Sequence, residues 1–174
     1  MAKTEGSAKV VVCDAGPLIH LDELDALDLL GDFPEVLVPE AVWREVLRHR
    51  PLALEKKTLV LVRVAPSPGQ PTSLLRGLFE TMSLHRGEQE APALATKHEH
   101  ALLLTDDTAA RLAAGVLGLG VHGTIGILIR AIRRAQRTKK QVLELLGAIP
   151  NKSTLHLKRS FLATIIDQVE HEAG

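Results

Sequence analysis

Residues 10–17, VVVCDAGP, constrain the fold more than any other stretch of this chain. Three valines and a cysteine run without a polar break into an acid, a Gly and a Pro. A continuous apolar run of this kind reads as a strand buried on both faces, as in a parallel sheet covered by helices. Gly16 and Pro17 then turn the chain, and Pro suits the first turn of a following helix. Asp14 is therefore expected at the carboxyl end of a central strand, the edge where open α/β sheets bind their ligands. Two readings of Asp14 stand side by side here: a site residue, or a cap for the next helix.

The remaining chain alternates in the same way. Residues 17–33 read as one helix, with Leu18, Leu21, Leu24 and Leu27 on a line and Gly31 as its C-cap. A strand at 35–38 (EVLV) follows, then a helix at 40–49 with Val42, Val46 and Leu47 on one side. A further strand is expected at 58–65, then a Pro/Gly-rich loop and a helix over 74–82. The next helix begins near Gly87, which places Pro92 close to its first turn, since Pro deep in a helix costs about 3 kcal/mol. Residues 101–105 (ALLLT) form a second apolar strand running into Asp106 and Asp107. A helix at 108–119, a brief strand at 120–122, a basic helix at 123–137 and helices at 139–146 and 160–172 complete the chain. Strands alternating with helices predict βαβ units and a mainly parallel sheet between helical layers, an α/β fold. Residues 1–8 read as a flexible tail, and residues 9–174 as a single domain, in keeping with the length of 174 residues.

Composition excludes several classes. One Trp, three Phe and no Tyr leave little to stack single-stranded bases on. The single cysteine, Cys13, forbids an internal disulfide and suits a reducing compartment. No secretory signal opens the chain and no apolar run reaches membrane-spanning length, so a cytoplasmic protein without membrane contact is expected. The formal net charge is zero, yet residues 1–50 carry ten acids against five Lys/Arg, and residues 123–160 carry nine Lys/Arg against one acid. That asymmetry predicts an acidic centre and a basic surface, or else a solvated helix face.

The acids fall into a pattern. Asp14 ends one strand, Asp106 and Asp107 end another, Glu88 and Glu90 open a helix, and Glu45 lies on the helix after the second strand. In a parallel sheet those places share one edge. Clustered carboxylates repel, and burying them without compensation is costly, which a divalent cation would relieve. Oxygen ligands without His or Cys favour magnesium or manganese. Each acid also has a structural alternative. Asp106 and Asp107 could cap a helix, Asp107 and Arg111 have ion-pair spacing, Glu88 and Glu90 suit a helix N-terminus, and Glu45 could pair with Arg48 or His49. The eight histidines show no ligand spacing, and His98 and His100 are expected in solvent.

At these residues the chain resembles PIN-domain proteins of the VapC-like type, over almost its whole length. VVCDAGPLIHL, VPEAVWREV, RGEQEAPALA and LLLTDDTAARLAA resemble, in order, the four segments that carry the family's metal acids. GTIGIL at 123–128 resembles the "GT-x-G-x-L" helix of one subgroup. The resemblance implies a three-layer α/β/α fold and a magnesium- or manganese-dependent ribonuclease, often the toxin half of a toxin–antitoxin pair. It makes Asp14, Glu45, Glu88 and Asp107 the catalytic ligands, with Glu90 and Asp106 as neighbouring metal acids. Pro92 departs from the aliphatic residue usual in relatives. RNA is the expected substrate and an antitoxin protein an expected partner. The basic stretch at 130–140 (Arg130, Arg133, Arg134, Arg137, Lys139, Lys140) is a candidate for phosphate contacts. Homodimerisation is expected through the apolar faces of the early helices. Two other readings remain: a PIN fold that binds RNA or a partner without cleaving, and a receiver-like phosphoacceptor. The receiver reading would want its paired acids at the first strand, where this chain has one.

Overall fold

The apolar run forms β1 (Val11–Cys13), whose residues are at most 1% exposed. The computed structural model describes residues 10–68 and 71–172; the expected tail at 1–8 lies outside them. After β1 come α1 (Ala15–Glu23), β2 (Val36–Pro39), α2 (Glu40–His49), β3 (Leu61–Val64), α3 (Ser73–Thr81) and α4 (Arg86–Ala95). Then follow β4 (Leu102–Leu104), α5 (Thr108–Val116), β5 (Gly120–His122), α6 (Thr124–Arg133), α7 (Lys139–Lys152) and α8 (Arg159–His171). Short 3₁₀ turns at Leu27–Asp32 and Pro51–Glu55 join the early elements.

The strands make one sheet in the order β3-β2-β1-β4-β5, every pair parallel. Successive strand residues point to opposite faces, and the two cores divide accordingly. Val11, Cys13, Val36, Val38, Leu102 and Leu104 face a core shared with α1, α2, α6, α7 and α8. Val12, Leu37 and Leu103 face Ala91 and Ala95 of α4 and Ala114 of α5. Leu75 and Phe79 of α3 pack with Ala110 and Ala113 at that layer's outer side. The result is a three-layer α/β/α fold. No helix among the described residues is long and apolar enough to cross a membrane.

Several elements differ from the expectation for physical reasons. The helix expected over 17–33 stops at Glu23, because Asp25 takes a left-handed conformation (φ 54°) and Ala26 N–H bonds back to Leu21 O. Leu24 and Leu27 stay buried across that break, so the leucine line reports burial rather than one helix. Gly31 is not a C-cap; it lies inside the 3₁₀ turn, where a Cβ would come within 3.2 Å of Thr58 O. The leucine face of α1 is buried within this chain. In α2, Val42 and Val46 are buried but Leu47 is 52% exposed. Pro92 stands in the middle of α4, not in its first turn. One missing N–H is tolerated where Ala91 and Ala95 are wholly buried against the sheet. The helix expected to end at 146 runs on through Pro150 to Lys152.

Leu103, which no solvent reaches, and Leu112, which is 57% exposed, test this division. Leu103→Ala is expected to cost about 3 kcal/mol and Leu112→Ala less than about 0.5 kcal/mol, read by urea denaturation.

Candidate active site

The strand order reverses at β1: the chain moves outward through β2 and β3, then returns to β4 on the other side. At such a switch point the connections leave in opposite directions and open a crevice at the carboxyl ends of the strands. Asp14 follows β1 there, and its N–H continues the ladder to Leu104 O at 2.8 Å. Thr105 follows β4, its N–H bonding His122 O at 2.9 Å. Both side chains are therefore set by sheet backbone.

Thr105 links the acids. Its hydroxyl donates to Asp14 Oδ2 at 2.8 Å and accepts the Asp107 N–H at 3.2 Å. Asp14 Oδ1 accepts the Ala15 N–H at 2.8 Å, and Asp107 Oδ1 accepts the Ala110 N–H at 2.7 Å. Both acids thus cap helices at the carboxyl edge of the sheet. Asp14 is only 8% exposed. Burial, above all, raises its carboxyl to about 6; the charges of Glu45 and Asp107 act in the same direction. The Ala15 N–H and the Thr105 hydroxyl oppose them. Glu45 is exposed on α2, within electrostatic reach of Asp14. Arg111, four residues after Asp107, gives an N–H to Thr105 O at 3.2 Å.

The other acids are engaged elsewhere. Glu88 Oε2 accepts the His85 N–H at 2.8 Å, closing a capping box on its own helix. Glu90 Oε2 accepts the Ala41 N–H at 2.9 Å; α2 starts on Pro39, with no side-chain cap of its own. An acid from α4 thus serves the positive end of α2. Asp106 is bound by Thr124 and His20. Of the six candidate acids, then, Asp14, Asp107 and Glu45 share one electrostatic neighbourhood, while Glu88, Glu90 and Asp106 hold backbone or side-chain donors.

Among the described residues no three acids or histidines stand close enough to hold one metal ion by themselves. The donor chemistry nonetheless fits a hard divalent ion: the donors are oxygens, and the charges of Glu45 and Asp107 add to burial in raising the Asp14 carboxyl. Magnesium commonly takes only one or two protein carboxylates and keeps water on its other positions.

The basic stretch does not stand as an open phosphate surface. Arg130 pairs with Asp32 at 2.6 Å and stacks over Phe33, Arg134 pairs with Asp32 at 3.0 Å, and Arg137 with Asp28 at 2.7 Å. Lys139 gives its ammonium to the carbonyls of Glu170 and Glu172. Arg133 and Lys140 are exposed. A groove of about 1010 Å³ lies between α3, α4 and the end of β3, touching this neighbourhood only at Pro39 and Glu90.

Thr105 and His20 escaped the sequence reading. Thr105 looks like the last residue of an apolar strand, and only its place directly before two acids signals more. His20, six residues after Asp14, lies on a helix whose leucines dominate the pattern.

A family model described as PIN domain matches residues 10–171. No curated protein matches the chain.

With its carboxyl raised from 3.8 to about 6, Asp14 favours the fold fully below pH 4, and loses that contribution as pH rises through 6. In EDTA at pH 8, Asp14→Asn is expected to be more stable than wild type by up to about 3 kcal/mol, the difference vanishing below about pH 4. Urea denaturation across that range reads it.

Proposed function

The chain belongs to the PIN-domain family, whose members are in general nucleases, and we propose that it is a divalent-metal-dependent ribonuclease. The observation that carries this reading is the Thr105 hydroxyl joining Asp14 and Asp107 at the switch point of the sheet. Capping alone does not call for that link, since each acid already has a backbone N–H. Catalysis does call for it: the Asp14 carboxylate and the backbone that carries Asp107 must keep their relative positions when a charged substrate arrives.

PIN domains typically use divalent metals. Asp14 and Asp107 would hold such an ion, with water on its remaining positions and Glu45 acting through that water. When bound, the ion supplies a nucleophilic water and neutralises charge on the phosphodiester. The protein's own contribution is orientation. Thr105 fixes the rotamer of Asp14 and ties Asp107 to the same hydroxyl, and α1 and α5 direct their first N–H groups at the acids. Glu88 and Glu90 support the site through the helices they cap. Glu90 in particular sets the start of α2, which carries Glu45.

Purified protein is expected to cleave a mixed RNA pool with manganese, to stop in EDTA, and to fall below about one-hundredth of wild-type rate in Asp14→Asn. Manganese should also raise the melting temperature of wild type and not of Asp14→Asn. Cleavage that survives Asp14→Asn overturns the reading. Silence in both proteins together with no thermal shift favours a PIN fold that binds without cutting. The reading extends to the toxin half of a toxin–antitoxin pair, with an antitoxin protein as partner. Induced expression in bacteria is then expected to arrest growth, and Asp14→Asn to relieve the arrest.

A further inference from the structure

Beside the acid crevice lies a polar cluster to which hydrolysis gives no part: Asp106, Thr124 and His20. Asp106 Oδ1 accepts the Thr124 N–H at 2.7 Å. Its Oδ2 accepts the Thr124 hydroxyl at 2.6 Å and faces His20 Nδ1 at 2.8 Å. An ionised carboxylate has no hydrogen to give, so Nδ1 carries the ring hydrogen and donates it. In neutral imidazole the other nitrogen, Nε2, then presents a bare lone pair.

That nitrogen makes no hydrogen bond among the described residues. No described side-chain nitrogen or oxygen is both buried and without a partner, so Nε2 reaches solvent. The His20 side chain as a whole is 14% exposed, its ring held and one edge open. The ring lies against the first turn of α1: a Cβ on Gly16 would stand 3.5 Å from His20 Cε1 and 3.4 Å from Asp106 Oδ2. Gly16 comes two residues after Asp14, and Asp106 directly precedes Asp107. His20 is thus carried on the helix that starts at Asp14, bonded to the residue that directly precedes Asp107.

We propose that His20, oriented by Asp106, distinguishes RNA from DNA at this site by accepting a hydrogen bond from a ribose 2′-hydroxyl. The proposal rests on the nuclease reading of the crevice. Its chemistry is selective because phosphate and ring oxygens only accept. Along the internal sugar–phosphate backbone the 2′-hydroxyl is the group that donates, and DNA lacks it. A fixed acceptor beside a phosphodiester site therefore has a partner in RNA and none in DNA. Asp106 makes the acceptor: it selects the tautomer, while its bonds to Thr124 anchor it to the start of α6. Asp106 and His20 are in these terms positioning and specificity groups, not metal ligands.

The test is fluorescence anisotropy near pH 8, with calcium in place of manganese. A labelled mixed-sequence RNA oligonucleotide is compared with DNA of the same sequence, alongside the manganese cleavage assay. Wild type is expected to bind RNA about tenfold more tightly than DNA, the worth of one well-made hydrogen bond. His20→Ala brings that ratio close to one. Asp106→Asn does the same with the ring still present, because its amide can give a hydrogen to Nδ1 and so turn Nε2 into a donor. Should Asp106→Asn fail to fold, His20→Ala, with folding checked by circular dichroism, decides. A ratio that His20→Ala leaves unchanged overturns this proposal and spares the nuclease reading, as does a wild type with no RNA preference that still cleaves. Failure to bind either nucleic acid, with no metal-dependent cleavage, overturns both.

Discussion

Asp14 is a carboxylate at the end of a strand buried on both faces, and the groups around it are arranged to tolerate that position. Charge in such a place is disfavoured unless something meets it. Ala15 N–H and the Thr105 hydroxyl meet it in part, and the raised carboxyl records that the compensation is incomplete. Two further acids act in the wrong direction for stability, Glu45 and Asp107. A fold selected for stability alone would not keep three acids in this relation. The remaining imbalance is what a divalent cation would remove.

Capping and chemistry do not compete here, for a geometric reason. In a parallel sheet every strand end is followed by a helix start at the same edge, so acids that cap helices also line the crevice. Asp14 and Asp107 do both. Glu90 goes further, crossing from α4 to serve α2, whose own N-cap is a proline without a side-chain acceptor. The arrangement of the helices around the crevice is in this way secured by acids, the same residue type that lines it.

The opposed charges of the two halves of the chain form a seam. Asp28 and Asp32, on the 3₁₀ turn after α1, receive Arg130, Arg134 and Arg137 from α6 and the turn beyond it. Arg130 is 13% exposed and lies over Phe33, so its pair is the best shielded from solvent and salt. The zero net charge of the whole reflects this mutual neutralisation more than an even scatter of charge.

What the sequence by itself determined was the class of fold and the edge at which to look. The apolar runs at 10–13 and 101–105, each running into acid, read as buried strands of a parallel sheet, while the division of their side chains between two cores came from the structure. The acids were visible one by one. Their destinations were not, because each depends on a partner far away in the chain: Thr105 for Asp14, Ala41 for Glu90, His20 for Asp106, Asp32 for Arg130. A carboxylate at a helix start reads the same in sequence whether it caps its own helix, as Glu88 does, or a neighbouring one, as Glu90 does. The leucine line through 18–27 likewise announced burial without revealing that Asp25 ends the helix. Local pattern encodes which face of an element is apolar. Only the tertiary structure, by bringing strand ends together at the switch point, decided which polar groups meet there.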